Sequence, residues 1–306
     1  MRIFIELPTW LGDGVMSSAA IANIRANFKD AKLTFFGSAA STALFAEFGQ
    51  IIIDESKKSR FRLAYLYKLA KSQPKFDAFI SFRSHLASKA LAFFINARNS
   101  GVYRPINKND HLVVDYLNFS SKALNISILT NEMQLSFTPQ IYTRPTLGLN
   151  PGATYGSAKR WYPSYFAQVA MELADKFDIL IFGGNGEIEI CDEISYILTK
   201  RGISHKNLCG KTSIKELASY IAGLGLFITN DSGPMHIAAA FKVPTVALFG
   251  PTNFTRTSPY NNPNARLAHL NLPCMPCMKR VCPIGSHECM KELKPALALE
   301  LARQII

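Results

Sequence analysis

The sequence predicts an α/β protein built as two doubly wound parallel-sheet domains. Three observations carry this. The chain has 306 residues, more than the roughly 100–200 that one hydrophobic core usually serves. Short apolar runs alternate with helical stretches, the pattern of βαβ units. The alternation restarts after Arg144-Pro145-Thr146, which reads as a linker. The expected domains are therefore 1–145 and 146–306.

In the first half, the apolar runs 3–7, 33–36, 51–53 and 76–82 read as buried strands. Helical stretches lie between and after them at 16–28, 40–48, 63–71 and 86–97. Asp30 and Gly37 supply turn chemistry. In the second half, 147–150 reads as a new first strand that runs into a Gly-containing loop. A helix over 164–177, a strand over 178–182 and helices over 188–200 and 213–223 follow. Strands at 226–229 and 245–249 flank a short helix, 234–241. The Asn- and Pro-rich stretch 253–272 reads as a loop without an assigned element. A last helix is expected over 291–306, packing on either domain, including back on the first.

Composition narrows the function classes. Hydrophobic residues make up 48% of the chain and charged ones 18%, which argues against disorder. No apolar run reaches the ~18 residues of a spanning helix. Met1 to Glu6 reads as an immediate strand, and Glu6 and Pro8 interrupt any signal-peptide core. A soluble, cytoplasmic protein is expected. The formal charge is +12, and 18 of the 34 cations but 10 of the 22 acids lie in the first 148 residues. The excess peaks at Lys57, Lys58, Arg60, Arg62, Lys68, Lys71 and Lys75, with no acid between them. Such a field suits nucleic acid, an anionic membrane surface or a phosphorylated substrate, or is simply a solvated face.

In open parallel sheets, ligands bind where strands end and helices begin. Four such loops carry candidate chemistry. Pro8-Thr9-Trp10-Leu11-Gly12-Asp13-Gly14 follows the first strand. Asp13 reads either as a first-turn acid favoured by the helix dipole or as a proton acceptor. The loop 150–161 contains Thr154 and two glycines, then Lys159-Arg160-Trp161. Small residues followed by cations suit a phosphate group, or a surface turn with a basic end. Asn230-Asp231-Ser232-Gly233-Pro234-Met235-His236 ends a strand and opens a helix. The amides of Ser232, Gly233 and Met235 are expected to face one anion. Asp231 also suits an N-cap, and His236 a buried core position. Glu187 and Glu189 follow Phe182-Gly183-Gly184 and suit ribose hydroxyls or a helix first turn.

Together, Trp10-Leu11-Gly12-Asp13, Asn150-Pro151-Gly152-Ala153, Ala158-Lys159-Arg160-Trp161, Asn230 to His236 and Leu248-Phe249-Gly250-Pro251-Thr252 make a specific set in the correct order. The chain resembles the ADP-heptose:lipopolysaccharide heptosyltransferases, glycosyltransferase family 9, and most closely the heptosyltransferase II branch. The resemblance spans nearly the whole chain. It implies a GT-B fold, two Rossmann-like domains facing across a cleft. It implies inverting, metal-independent transfer of heptose from ADP-heptose to the lipopolysaccharide core, with no cofactor. It places the catalytic aspartate at Asp13 and the donor-phosphate lysine at Lys159. It places donor contacts at Thr154, Arg160, Asp231, Ser232, Gly233, Met235 and His236, and the ribose glutamate at Glu189 with Glu187 as the alternative.

On the acceptor side, Thr9, Trp10, Arg60, Arg83 and His85 are the candidates. The implied partners are a nucleotide-sugar donor and an anionic glycolipid, lipid A-Kdo-heptose. Peripheral contact with the inner face of the inner membrane is implied, and nucleic acid is not. Two residue-level readings agree with this. Inversion needs a single base on the acceptor hydroxyl. The chain contains no Asp-x-Asp of the kind that holds a divalent ion on a sugar diphosphate.

Cys274, Cys277, Cys282 and Cys289 cluster beside His287. Clustered cysteines in a cytosolic chain suggest a structural metal before a disulfide. The spacing is irregular for zinc modules, so free thiols are the favoured reading and no catalytic metal is expected. Rival functions are heptosyltransferase I or a later-acting heptosyltransferase, a dinucleotide oxidoreductase, and a non-catalytic nucleotide or nucleic-acid binder. The oxidoreductase reading lacks a G-x-G-x-x-G turn in either half.

Overall fold

The computed structural model describes residues 1–107 and 109–306. The chain divides into two compact units, Met1–Ser136 and Phe137–Ile306.

The first unit holds a five-stranded parallel sheet of β1 (Arg2–Glu6), β2 (Lys32–Gly37), β3 (Gln50–Ile53), β4 (Ala78–Ser81) and β5 (Asn99–Val102), ordered β3-β2-β1-β4-β5. Its helices are α1 (Leu11–Met16), α2 (Ser18–Asn27), α3 (Ala39–Ala43), α4 (Arg62–Ser72), α5 (Leu86–Ile95) and α6 (Leu112–Leu124). β1 and β4 are buried almost throughout because helices cover both faces of a parallel sheet. Phe4 anchors one face, stacked on Phe79 at 5.7 Å and edge-on to Phe76 at 5.2 Å. The connections run outward from β1 to β2 and β3, then return to β4 on its other side. The switch point therefore lies between β1 and β4, and their trailing loops carry Trp10–Asp13 and Arg83–His85.

The second unit holds a six-stranded parallel sheet of β6 (Thr146–Asn150), β7 (Asp178–Ile181), β8 (Lys206–Asn207), β9 (Leu226–Asn230), β10 (Thr245–Phe249) and β11 (Ala265–His269), ordered β11-β10-β9-β6-β7-β8. Its helices are α7 (Pro163–Leu173), α8 (Ile188–Lys200), α9 (Ile214–Ala222), α10 (Gly233–Ala240), α11 (Phe254–Thr257), α12 (Glu288–Lys291) and α13 (Pro295–Arg303). Trp161, Phe166, Ile181 and Ile228 are fully buried in its core. Here the switch point lies between β6 and β9. Residues 137–145 already belong to this unit: the Gln140 N–H donates to the Ser219 carbonyl at 2.9 Å, and the Tyr142 hydroxyl donates to the Tyr220 carbonyl at 2.9 Å.

Several elements differ from the sequence expectation. The helix expected to begin at residue 16 begins at Leu11 and pauses at Ser17, whose hydroxyl donates to the Gly14 carbonyl at 2.7 Å. Asp13 is thereby the third helical residue. The stretch 253–272 holds α11 and β11, an edge strand whose half-buried Arg266 and His269 weaken its apolar signal. The last helix is split, because Pro295 suits a first turn and not an interior. α13 packs on α7 and on β10 and β11 of its own unit.

Candidate active site

The loops after β6 and β9 are neighbours, and two asparagines stitch them in opposite directions. Asn150, at the end of β6, donates to Ser232 Oγ at 2.9 Å and to Thr229 Oγ1 at 3.1 Å. Asn230, at the end of β9, donates to the Pro151 carbonyl at 2.7 Å and accepts from the Trp161 N–H at 3.2 Å. Trp161 is fully buried, and its indole N–H donates to the Leu293 carbonyl at 2.7 Å. A single 3-10 turn over 157–159, fixed at this end by Trp161, presents Lys159.

The Lys159 ammonium lies 2.6 Å from Asp231 Oδ2 and donates to the Asp231 carbonyl at 3.2 Å. It also sits 4.9 Å from the centre of the Tyr155 ring, a cation–π arrangement. Asp231 Oδ2 accepts a second hydrogen bond, 2.6 Å from the Thr252 hydroxyl. The cation is thus held at the mouth of α10, beside the helix N-terminus. Met235 is not available there as expected: its N–H donates to the Ser232 carbonyl at 3.1 Å, and its side chain is buried. Among the described residues, the N–H groups of Ser232 and Gly233 donate to no other group. Two free amides, a helix dipole and an adjacent lysine make an anion site. His236 is buried within α10. Arg160 is half-buried, and among the described residues its Nε has no hydrogen-bond partner. Thr154 is exposed.

Of the two candidate ribose acids, Glu187 stands against the β6 loop. A Cβ on Gly152 would overlap its carboxylate, which would have to swing away. Glu187 Oε2 accepts from the Gly184 N–H at 2.8 Å. Glu189 is exposed on the first turn of α8.

In the first unit, Asp13 is half-buried in the first turn of α1. Its loop is tied to α3: the Ser41 hydroxyl donates to the Pro8 carbonyl at 2.6 Å, and the Ser38 hydroxyl donates to the Thr9 carbonyl at 2.9 Å. Trp10 is 46% exposed. Arg83 does not face an acceptor. It is buried, with Nη1 2.7 Å from Asp54 Oδ2 and 3.4 Å from Glu6 Oε1, and its Nε donates to the Leu7 carbonyl at 2.6 Å. Burial pushes the Glu6 carboxyl up, against the pull of Arg83. Burial acts on Asp54 in the same direction, but Ser56 and Arg83 outweigh it and hold its carboxyl below the usual range. His85 is exposed at the start of α5, and Arg60 is exposed over the Phe61 ring. On α4, Tyr65, Leu66, Leu69 and Ala70 pack on the core, whereas Leu63 and Tyr67, and Phe61 just before the helix, are exposed along with Lys68 and Lys71.

The four clustered cysteines line one small cavity together with His287 and Glu288. The N–H of His287 donates to Cys282 Sγ at 3.4 Å and, with neighbouring amides, holds that thiol below its usual range. Burial pushes Cys289 up to about 11. Among the described residues, no three His, Cys, Asp or Glu side chains converge as a metal site. This Cys-rich segment braces the loops after β6 and β10. The Arg280 carbonyl accepts from the Ala158 N–H at 3.0 Å, and the Met278 N–H donates to the Pro251 carbonyl at 2.8 Å. Sequence reasoning missed this brace, along with Tyr155, Thr252 and the Gly152–Glu187 contact. In the sequence, Thr252 stands in the Leu248-to-Thr252 motif with no role assigned to it, and Glu187 only as the alternative ribose acid.

Known proteins resemble the chain along its length. The model of glycosyltransferase family 9 (heptosyltransferase) matches residues 58–287. Lipooligosaccharide heptosyltransferase 2 of Campylobacter jejuni subsp. jejuni serotype O:2 is 48% identical, over 100% of this chain and 98% of the relative. The solved structure of Escherichia coli ADP-heptose lps heptosyltransferase II superposes with a TM-score of 0.78 at 22% identity, covering 100% of this chain and 98% of that one. A family 9 glycosyltransferase structure from Veillonella parvula gives 0.85 at 20% identity, covering 99% and 96%. The two parallel-sheet units are those of the GT-B fold. With three-quarters of its length inside the family model and a near-half-identical relative along its whole length, the chain belongs to glycosyltransferase family 9, the heptosyltransferases.

Proposed function

We propose that the chain is a heptosyltransferase 2 that moves heptose from ADP-heptose onto the heptose of a lipopolysaccharide or lipooligosaccharide inner core. The single observation that carries the donor side is the Lys159 ammonium fixed on Asp231 beside the free amides of Ser232 and Gly233. That site suits a diphosphate. Glu187, set against Gly152, takes the ribose hydroxyls in this reading, in preference to Glu189.

The reaction is an inverting displacement without a metal. Asp13 accepts the proton of the acceptor hydroxyl while that oxygen bonds to the anomeric carbon. The anomeric C–O bond to the diphosphate breaks, and ADP leaves with the electron pair. A carboxylate serves as the base when proton transfer is late, as at an oxocarbenium-like transition state. Lys159 and the α10 amides stabilise the charge that grows on the leaving diphosphate. The exposed cations and aromatics of 57–71 face the anionic glycolipid at the cytoplasmic face of the inner membrane, where each Lys or Arg contributes about 1 kcal/mol.

The test is mass spectrometry of products after mixing the protein with ADP-heptose and core acceptors carrying zero, one or two heptoses, with and without a chelator. One heptose should be added to the singly heptosylated acceptor, at a rate the chelator does not change. Asp13→Asn should abolish transfer and leave ADP binding within about twofold. Transfer only to the heptose-free acceptor would establish heptosyltransferase I instead. Near-wild-type turnover by Asp13→Asn would remove the base.

A further inference from the structure

We infer that Thr252 is a positioning residue for heptosyl transfer, acting through Asp231 to aim the Lys159 ammonium at the donor diphosphate. The inference rests on the donor-side reading above.

Thr252 lies in the loop after β10, the strand next to β9, whose own trailing loop begins with Asp231. It is 6% exposed, and its hydroxyl donates to Asp231 Oδ2 at 2.6 Å. A carboxylate only accepts hydrogen bonds, so the direction of this bond is fixed. The same oxygen takes the Lys159 ammonium at 2.6 Å. Oδ2 therefore carries two donors, one neutral and one charged, and rotation of the carboxylate would break both bonds.

An ammonium has three N–H donors. Lys159 directs one at Asp231 Oδ2 and one at the Asp231 carbonyl. Two anchors on one residue fix the direction of the third, which is the donor left for a diphosphate at the N-terminus of α10. Asp231 is itself an anion and would repel that diphosphate. The Thr252 hydroxyl holds its carboxylate back, on the β10 side, with its charge shared between hydroxyl and ammonium. Without this bond the carboxylate is free to turn, the lysine turns with it, and the third N–H loses its aim. Small losses of alignment at a preorganised donor are expensive in rate. This gives the Leu248-to-Thr252 motif a role, which the phosphate and ribose contacts had left without one.

The experiment is a mutant cycle on the intact enzyme. Thr252→Val keeps the shape and removes the donor; Thr252→Ser keeps the donor. Steady-state kcat, the KM values for ADP-heptose and acceptor, and the thermal midpoint are measured for each, alone and with Lys159→Ala. The expected result is a fall in kcat of about tenfold for valine, with the acceptor KM unchanged. Serine should recover the rate to within about threefold. In the Lys159→Ala background, valine should cause no further loss, because the lysine through which Thr252 acts is gone. An equal loss in both backgrounds, or an unchanged kcat in a normally folded valine variant, overturns the inference. Thr252→Ala makes the same comparison if valine destabilises the fold. Absence of transfer by the wild type would instead refute the heptosyltransferase reading, so the two failures are distinct.

Discussion

Replacing Lys159 with methionine should separate the two jobs of its ammonium. In the folded chain the ammonium lies 2.6 Å from Asp231 Oδ2, with the two side chains 12% and 4% exposed. Removing it leaves a buried carboxylate with the Thr252 hydroxyl and without the lysine charge. Breaking a buried ion pair costs about 3–5 kcal/mol; access of water from the lysine side reduces the expectation to about 2–3 kcal/mol of unfolding free energy. The catalytic loss has a different origin. A preorganised donor on developing negative charge is worth about 2.7–4 kcal/mol, or 10²–10³ in kcat. Lys159→Met/Asp231→Asn tells them apart. Its neutral amide needs no countercharge, so most of the stability returns while turnover stays low. The assays are urea unfolding and ADP release from ADP-heptose in the presence of a heptosylated acceptor. A single variant that keeps more than about a tenth of the wild-type kcat would refute the leaving-group role. So would a double variant whose rate recovers along with its stability.

Two further predictions concern the neighbouring structure. Arg83→Met should cost about 3–5 kcal/mol at pH 7.5, because it strands two buried carboxylates, Glu6 and Asp54, beside an apolar chain. The depressed Asp54 pKa contributes stability above its unfolded value, and this is lost as pH falls through the folded value. In the variant, burial without the guanidinium raises both carboxyls, so they take up protons at a higher pH than in the wild type and the deficit should shrink on acidification toward about pH 4–5. Urea titrations at the two pH values check this, and an equal deficit at both would contradict it. Gly152→Ala should drive the Glu187 carboxylate off the β6 loop and break its 2.8 Å bond to the Gly184 N–H. The KM for ADP-heptose should rise about tenfold with kcat within about twofold. Steady-state kinetics decide, and an unchanged KM in both this variant and Glu187→Gln would remove Glu187 from the donor site.

How much of this was legible in the chain depends on the range over which each feature is encoded. The strands β1, β2, β4, β6, β7, β9 and β10 are buried and strongly apolar, so local patterning reveals them. β5, β8 and β11 are short or half-exposed edge elements whose residues mix polar and apolar types, and pattern alone does not separate them from loops. Lys159 and Asp231 stand in strand-to-helix loops and Asp13 in the helix turn just past one, the places where ligands commonly bind in parallel sheets, and their chemical types make them candidates.

Partnership is a different matter. By sequence, Arg83 is a cation after a strand, equal in kind to Lys159. In the fold its guanidinium is consumed by Glu6, Asp54 and the Leu7 carbonyl. Glu187 and Glu189 are two residues apart, and only the fold shows that Glu187 lies against Gly152 while Glu189 is exposed. Thr252 is separated from Asp231 by an entire helix and strand, and their hydrogen bond exists only because β9 and β10 are adjacent in the sheet. The sequence by itself determined the fold class, the family and the loops that carry chemistry, since periodicity and residue type are local properties. Tertiary structure alone decided which charges are spent on the scaffold and which remain for substrate, since that depends on contacts between residues far apart along the chain.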